Sequence, residues 1–403
     1  MADCFSFKIF GNPFGLRVLC RQHWVQSPAF LVCQFERNNR ETIYFPGIVL
    51  ASSAGFFLFF LGWFFFDVGL TFFLTGTLLF FWKYFNLRKK LYLHISALFL
   101  GGAALFKGFV SIVLVGLVVL TFLLLEKKLK LLLKLLNPVS LLLFLLVTVP
   151  WHLLAAQQEQ GFSWFYFINE HIMRFLDQRI PKDYYTGPIY YYIPRLILYF
   201  LPWAFIWPFL KRFRLANQPL GRFLLCWFFS FLLFFSLSRA KANYYMVVGM
   251  PPLALWFGLL LEGVKGRYKI LVGGASISAL LLFGGLYYAR HKEPEITVKD
   301  SVARLDVTRN VFLYKRFEEL SSLPFYLGRP VLIIHSESRD LWYAQQKMQY
   351  SHLFLDKNVL DSSDAYVYVL KRDLLDFESC FRRRSSIKIF SAPKYVVYWC
   401  RHN

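Results

Sequence analysis

Long apolar runs follow one another through the middle of this chain, and at every second connection between them stands a short cluster of Lys and Arg. The runs lie at about 46–66, 68–85, 92–106, 108–125, 135–155, 188–210, 221–237, 243–263 and 270–289. About 20 helical residues cross the hydrocarbon of a bilayer, so these are nine candidate spans, with 68–85 and 92–106 on the short side. The clusters are Arg88-Lys89-Lys90, then Lys127-Lys128 with Lys130 and Lys134, Lys211-Arg212 with Arg214, and Lys265 with Arg267 and Lys269. Basic loops stay on the cytoplasmic side. The connections near Asp67 and Lys107, the segments 157–187 and 238–243, and everything after Tyr288 then face the opposite side.

Composition excludes the alternatives. Of 403 residues 57% are apolar, 47 are Phe and 17% are charged, which no water-soluble domain of this length tolerates on its surface. The net charge of +22 would suggest nucleic acid in a soluble chain, but here the cations sit between apolar runs as topogenic charge does, so no nucleic-acid partner is expected. Six cysteines include no CxxC spacing; Cys380 and Cys400 are open to two readings, a pair or two free thiols.

The fold expected is an all-α polytopic membrane domain of about nine spans over residues 46–289, followed by a soluble α/β domain over 290–403. The tail holds more than half of the chain's 24 acidic residues and contains the alternating runs "PVLIIHS" and "AYVYVLKR". The aromatic segment Gly161 to Leu176 is amphipathic and suits a helix lying in the membrane interface. Residues 1–45 form a leader with no assignable fold.

Charged residues that topology does not ask for mark the candidate site. Asp67, Glu159, Glu170, Asp177 and Asp183 fall on the outer side, and so do Lys107, Arg174, Arg239 and Lys241. Ionisable groups at the edge of a membrane core are costly, so several on one face suggest a polar site. Each also has a structural reading. Lys107 suits a snorkelling anchor, Asp67 an N-cap for the run beginning at Val68, and Glu170 with Arg174 a plain i,i+4 pair. A lone His171 in an aromatic helix is more often structural than a ligand. The functional reading is recognition of a phosphate whose lipid tail lies in the bilayer. Lys and Arg supply charge-assisted donors, Trp164, Phe165 and Tyr166 line a sugar or lipid path, Tyr245 stands beside the anion, and His171 with Glu170 holds a divalent metal ion.

Five stretches carry a family resemblance: "GGAALFKGFVSIVL", "PWHLLAAQQEQGFSWFYFINEHIMRF", "TGPIYYYIPRLILYFLPWAF", "FFSLSRAKANYYMVVGMPPLAL" and "VFLYKRFEELSSLPFYLGRPV". In order and spacing they resemble the lipid A aminoarabinose transferases and their dolichyl-phosphate-mannose protein mannosyltransferase relatives, membrane glycosyltransferases of the type-C fold. The resemblance covers about residue 46 to the end. It implies transfer of a sugar from a polyprenyl phosphate donor to lipid A or another glycan or protein acceptor, at the outer face of a bacterial inner membrane, with the C-terminal domain periplasmic. By position, Lys107, Arg174 and Lys241 resemble residues near the donor phosphate, His171 a metal ligand, Tyr245 a substrate contact and Asp67 an acidic residue at a helix end. The family's first outer loop carries an Asp-Glu pair, the presumed base and its neighbour, whereas residues 1–45 hold only Asp3, Glu36 and Glu41. The resemblance therefore implies a chain lacking about four helices and its main base, which leaves Asp67 as a substitute. An inactive remnant that binds polyprenyl phosphate, and an anionic-lipid transporter, stand as the alternatives.

Overall fold

The computed structural model describes residues 65–401 apart from 184–185, 207–216, 262–263, 293, 347, 357–363 and 381–385, together with Val49 and Ser53. The leader and nearly all of the expected span 46–66 therefore lie outside the described residues. The chain divides into two compact units between Phe283 and Gly284, a few residues before the expected boundary at 290. The apolar run ends near 289, but the helix that contains it continues to Lys292, so the division falls inside a helix.

The first unit is helical. Helices α1 (Phe65–Leu87), α2 (Lys90–Lys107) and α3 (Phe109–Leu125) are followed by the short α4 (Leu131–Leu135), α5 (Pro138–Gln158), α6 (Tyr192–Tyr199) and α7 (Trp203–Ile206). Then come α8 (Pro219–Leu237), α9 (Met250–Leu261) and α10 (Arg267–Lys292). Among the described residues five stretches are long and apolar enough to cross a membrane, at Asp67–Leu87, Pro138–Gln158, Pro219–Leu237, Asn243–Leu261 and Arg267–Gly285, and α3 is a shorter apolar helix.

Local chemistry sets these elements. Asn137 caps α5 by accepting from the backbone N–H groups of Val139 and Ser140 at 3.1 and 3.3 Å, with Pro138 at a first-turn position that needs no donor. Helices α1 and α2 pack as an antiparallel pair in which rings lie over glycines: a Cβ on Gly69 would come 2.4 Å from the Phe106 ring, and one on Gly102 2.4 Å from the Phe73 ring. Farther along, rings from α1, α3 and α8 form one aromatic core, with Phe85 and Phe122 centroids 4.9 Å apart and Trp82 and Phe223 5.1 Å apart.

One expectation needs correction, and two gain detail. The run 188–210 is not one helix in its described part: α6 and α7 are separate short pieces with Pro202, which has no N–H to give, between them. The run 243–263 starts as a 3₁₀ segment, Asn243–Gly249, because Pro251 and Pro252 cannot donate back to that turn, and it becomes α-helical only at Met250. The aromatic segment after Gly161 is helical, in the form of a π-helix over Trp164–Met173. It packs on its neighbours through rings, Phe167 against Phe109 at 4.9 Å and Tyr166 against Trp151 at 6.1 Å.

The second unit is a six-stranded mixed sheet in the order β3-β2-β1-β4-β6-β5. Its strands are β1 (Asn310–Tyr314), β2 (Leu332–Ile334), β3 (Phe354–Leu355), β4 (Ala365–Leu370), β5 (Ser386–Ser391) and β6 (Tyr395–Cys400). The first four in this order are parallel, and β6 runs antiparallel to both β4 and β5. The expected strands "PVLIIHS" and "AYVYVLKR" are β2 and β4. Strand β4 is buried on both faces, which explains its near-continuous apolar reading. Of the two readings for Cys380 and Cys400 the disulfide is not formed: Cys400 is buried in β6 and Cys380 is exposed.

Candidate functional site

The α1–α2 hairpin brings its two ends together. Asp67 lies in the first turn of α1 and Lys107 is the last residue of α2, so each charge sits at the helix end that favours it. Lys107 Nζ donates to Asp67 Oδ1 at 2.5 Å. The carboxylate is buried, and the Thr71 hydroxyl donates to the Asp67 backbone carbonyl at 2.6 Å. Asp67 is therefore no N-cap, since α1 includes Phe65 and Phe66 ahead of it. Nor is Lys107 a snorkelling anchor, because its ammonium also lies 4.3 Å from the Tyr245 ring centroid and 5.7 Å from that of Tyr244.

Arg174 reaches the same place from the end of the π segment. Its Nε and Nη2 donate to the two oxygens of Asp183 at 2.6 and 3.2 Å, and Nη1 donates to Glu170 Oε2 at 3.1 Å. The other Glu170 oxygen accepts from Arg179 Nε at 2.6 Å. The i,i+4 pair is thus real, but it is one edge of a four-residue network. Asn169 pins the loop carrying Arg179 by donating to the Ile180 carbonyl at 2.7 Å and accepting from the Ile180 N–H at 2.9 Å. Burial alone would pull the Arg174 guanidinium down, but Tyr245, Asp183 and Glu170 together hold it above its ordinary value, so it stays charged.

Between these groups is a cleft of about 210 Å³ lined by Asp67, Phe106, Lys107, Arg174, Tyr244 and Tyr245. Four of the residues singled out from the sequence, Asp67, Lys107, Arg174 and Tyr245, therefore meet. A cation in an apolar run is a visible signal, whereas Phe106 and Tyr244 look like any other aromatic residue in this chain. Arg179 gave no signal at all, because it lies in a polar loop where arginine is ordinary.

Three others do something else. Lys241 is only 2% exposed and does not line the cleft. Its ammonium donates to the backbone carbonyls of Phe235, Ser236 and Ser238 at 3.1, 2.6 and 2.5 Å, which closes the C-terminal end of α8. Burial pulls its pKa below the ordinary lysine value. His171 accounts for the α2–α3 turn: Nδ1 faces the Tyr166 carbonyl at 2.5 Å and Nε2 the Lys107 carbonyl at 3.2 Å. Gly108 turns there with φ +58°, and a Cβ on it would come 2.2 Å from His171 Nε2. Glu170 has both oxygens on arginines. The Glu170 and His171 donor set does not fit a metal ion, because each atom that would bind it already faces another group. Among the described residues there is no group of three His, Cys, Asp or Glu side chains placed to hold one.

No family model matches the chain. It is similar to an undecaprenyl phosphate-alpha-4-amino-4-deoxy-L-arabinose arabinosyl transferase of Pseudomonas fluorescens, 33% identical over 201 residues, which are 47% of this chain and 35% of that protein. A transferase of the same name from Shewanella sediminis is 31% identical over 189 residues, 46% of this chain and 33% of its own length. The chain thus spans about a third of the length of the curated relatives it matches, and these are the aminoarabinose transferases that its motifs resemble. Among solved structures, that of ArnT from Cupriavidus metallidurans bound to undecaprenyl phosphate matches with a TM-score of 0.79 at 18% identity, over 98% of this chain and 86% of that one. The same protein in the apo state matches with a TM-score of 0.77 over 98% and 85%. The fold is therefore that of ArnT, a mostly helical unit of apolar helices with a C-terminal sheet unit.

Proposed function

We propose that the chain is a multi-pass inner-membrane glycosyltransferase that moves a sugar from a polyprenyl phosphate to lipid A or a similar acceptor, with its sheet unit in the periplasm. Donor arithmetic at the cleft carries this reading. An ammonium has three N–H groups and a guanidinium five. Lys107 commits one to Asp67 and Arg174 three to Asp183 and Glu170. Among the described residues each cation is thus held in place by carboxylates and keeps two donors for the oxygens of a phosphate. Lys241, with three donors on three carbonyls, has none, and drops out of the phosphate set.

In this reading the acceptor oxygen attacks the anomeric carbon of the bound sugar while the bond from that carbon to the phosphate oxygen breaks, and the electron pair leaves with the phosphate. Lys107 and Arg174 stabilise the charge that grows on the leaving group. Their carboxylate partners fix the donors before reaction, so little reorganisation is needed. The acceptor's proton passes to a carboxylate, for which the cleft offers Asp67. Tyr245 supplies one wall, and its ring faces the Lys107 ammonium. No step runs through a metal ion.

Binding and transfer test the reading separately. Lys107→Met should weaken undecaprenyl phosphate binding by the purified protein in detergent about 10- to 100-fold, the scale of a hydrogen bond to a charged group. In proteoliposomes containing lipid A, wild type should move a labelled sugar from its polyprenyl phosphate to lipid A, and Lys107→Met should not. Unchanged binding by folded Lys107→Met would refute the phosphate assignment. Normal binding by wild type without transfer would leave the chain a binder of the donor.

A further inference from the structure

At the other end of α1, about 30 Å along the helix from Asp67, two turns carry seven cations that the cleft does not use. Arg88, Lys89 and Lys90 lie at the α1–α2 turn, and Lys127, Lys128, Lys130 and Lys134 lie between the end of α3 and the start of α5; all seven are exposed. The two turns meet on one ring. The Arg88 guanidinium lies 5.2 Å and the Lys128 ammonium 4.5 Å from the centroid of Phe85, which is 5% exposed. Among the described residues none of the seven has a carboxylate partner, whereas Lys107 and Arg174 at the cleft, and Arg179 in the network behind Arg174, are all paired. Glu126, next to this cluster in sequence, is taken by Arg222 at 2.6 Å.

The same connection also presents leucines outward. Leu129, Leu133 and Leu136 are 43%, 76% and 71% exposed, interleaved with Lys128, Lys130 and Lys134. Neither bulk water nor hydrocarbon suits such a surface, but the headgroup layer suits both halves of it. Topogenic charge has to be present during insertion. It does not require two like charges to share one buried ring, nor leucines laid between lysines. Such a patch is relieved by an anion at headgroup depth.

We propose that this end of the membrane unit is a binding site for anionic phospholipid, the phosphodiester lying between Arg88 and Lys128 over Phe85, with the leucines of the α3–α5 connection entering the upper acyl layer. Basic residues near an anionic membrane surface each contribute about a fivefold preference, and the interaction weakens as salt shortens the screening length.

The test uses the full chain purified in neutral detergent. Native mass spectrometry and thermal melting are run with added phosphatidylglycerol, phosphatidylcholine or inorganic phosphate. Wild type should retain phosphatidylglycerol at least about 25-fold over phosphatidylcholine, from about fivefold for each of the two basic residues, with a raised melting point that inorganic phosphate does not reproduce and that salt diminishes. Arg88→Gln with Lys128→Gln should cut the preference about 25-fold, while Arg88→Lys with Lys128→Arg should keep most of it. Lack of lipid preference in wild type would overturn the proposal even if the Gln variant fails to fold. Equal stabilisation by inorganic phosphate would also overturn it, by pointing to a soluble anion. So would a folded Gln variant that keeps the full preference.

Discussion

Lys241 shows how one signal in sequence serves two physical ends. A lysine in a loop that sequence expects on the outer side stands out against the charge rule just as Lys107 does, and sequence alone groups them. The difference lies in where the ammonium's donors go, and that is set by the turn after α8, whose carbonyls have no helical partner. Lys241→Met should therefore strip buried carbonyls of their donor and destabilise the protein, at about 1–3 kcal/mol for a buried group left unsatisfied. Undecaprenyl phosphate affinity of the folded fraction should stay within about twofold of wild type. Melting in detergent and binding on the same preparation separate the two, and lost affinity at an unchanged melting point would return Lys241 to the phosphate. Asp67, Lys107 and Arg174 were legible because charge in an apolar setting is rare, and Tyr245 only through its place just behind the loop of Arg239 and Lys241. Arg179 was not, because its role depends on a loop folding back through Asn169.

Among the elements, length and apolar content locate most helices well: α1, α2, α3, α5 and α8 lie within a few residues of the runs that indicated them. The one misreading falls at Pro202, and the 3₁₀ turn before Pro251-Pro252 and the π form of Trp164–Met173 were unseen, because hydropathy counts residues and is blind to backbone donors. The α1–α2 contact was also hidden, since it rests on rings placed over glycines. Gly69→Ala should push against the Phe106 ring, whose nearest atom would be 2.4 Å from the new Cβ. Such overpacking typically costs about 1–3 kcal/mol. Phe106→Leu in the same chain should recover part of the lost melting temperature, and purely additive losses would mean that the two side chains do not meet.

For the whole molecule, the change in acidic content near 290 announced a second unit, while the sheet order remained unreadable because strand pairing is non-local. That unit has its own buried clusters, on both faces of the sheet. Residues 294–403 expressed alone should give a mixed α/β circular dichroism spectrum and melt cooperatively; a disordered spectrum would contradict this. At the end of β1, Lys315 donates to Glu337 at 2.8 Å and holds that carboxyl below its usual value of 4.5. A folded value below the unfolded one means that the pair's contribution is present above pH 4.5 and is lost as pH falls through the folded value. The melting temperature should drop below pH 4.5, and Glu337→Gln should shrink that drop; equal slopes would show that the pair is inert.

The hairpin that joins Asp67 to Lys107 acts as a ruler. The two residues stand 40 positions apart and meet only because α1 and α2 are in register. One residue inserted within α2 would turn everything beyond it by about 100° and advance it by about 1.5 Å, which would carry Lys107 away from its carboxylate. In this part of the chain, evolution can exchange one side chain for another more readily than it can change the count of residues.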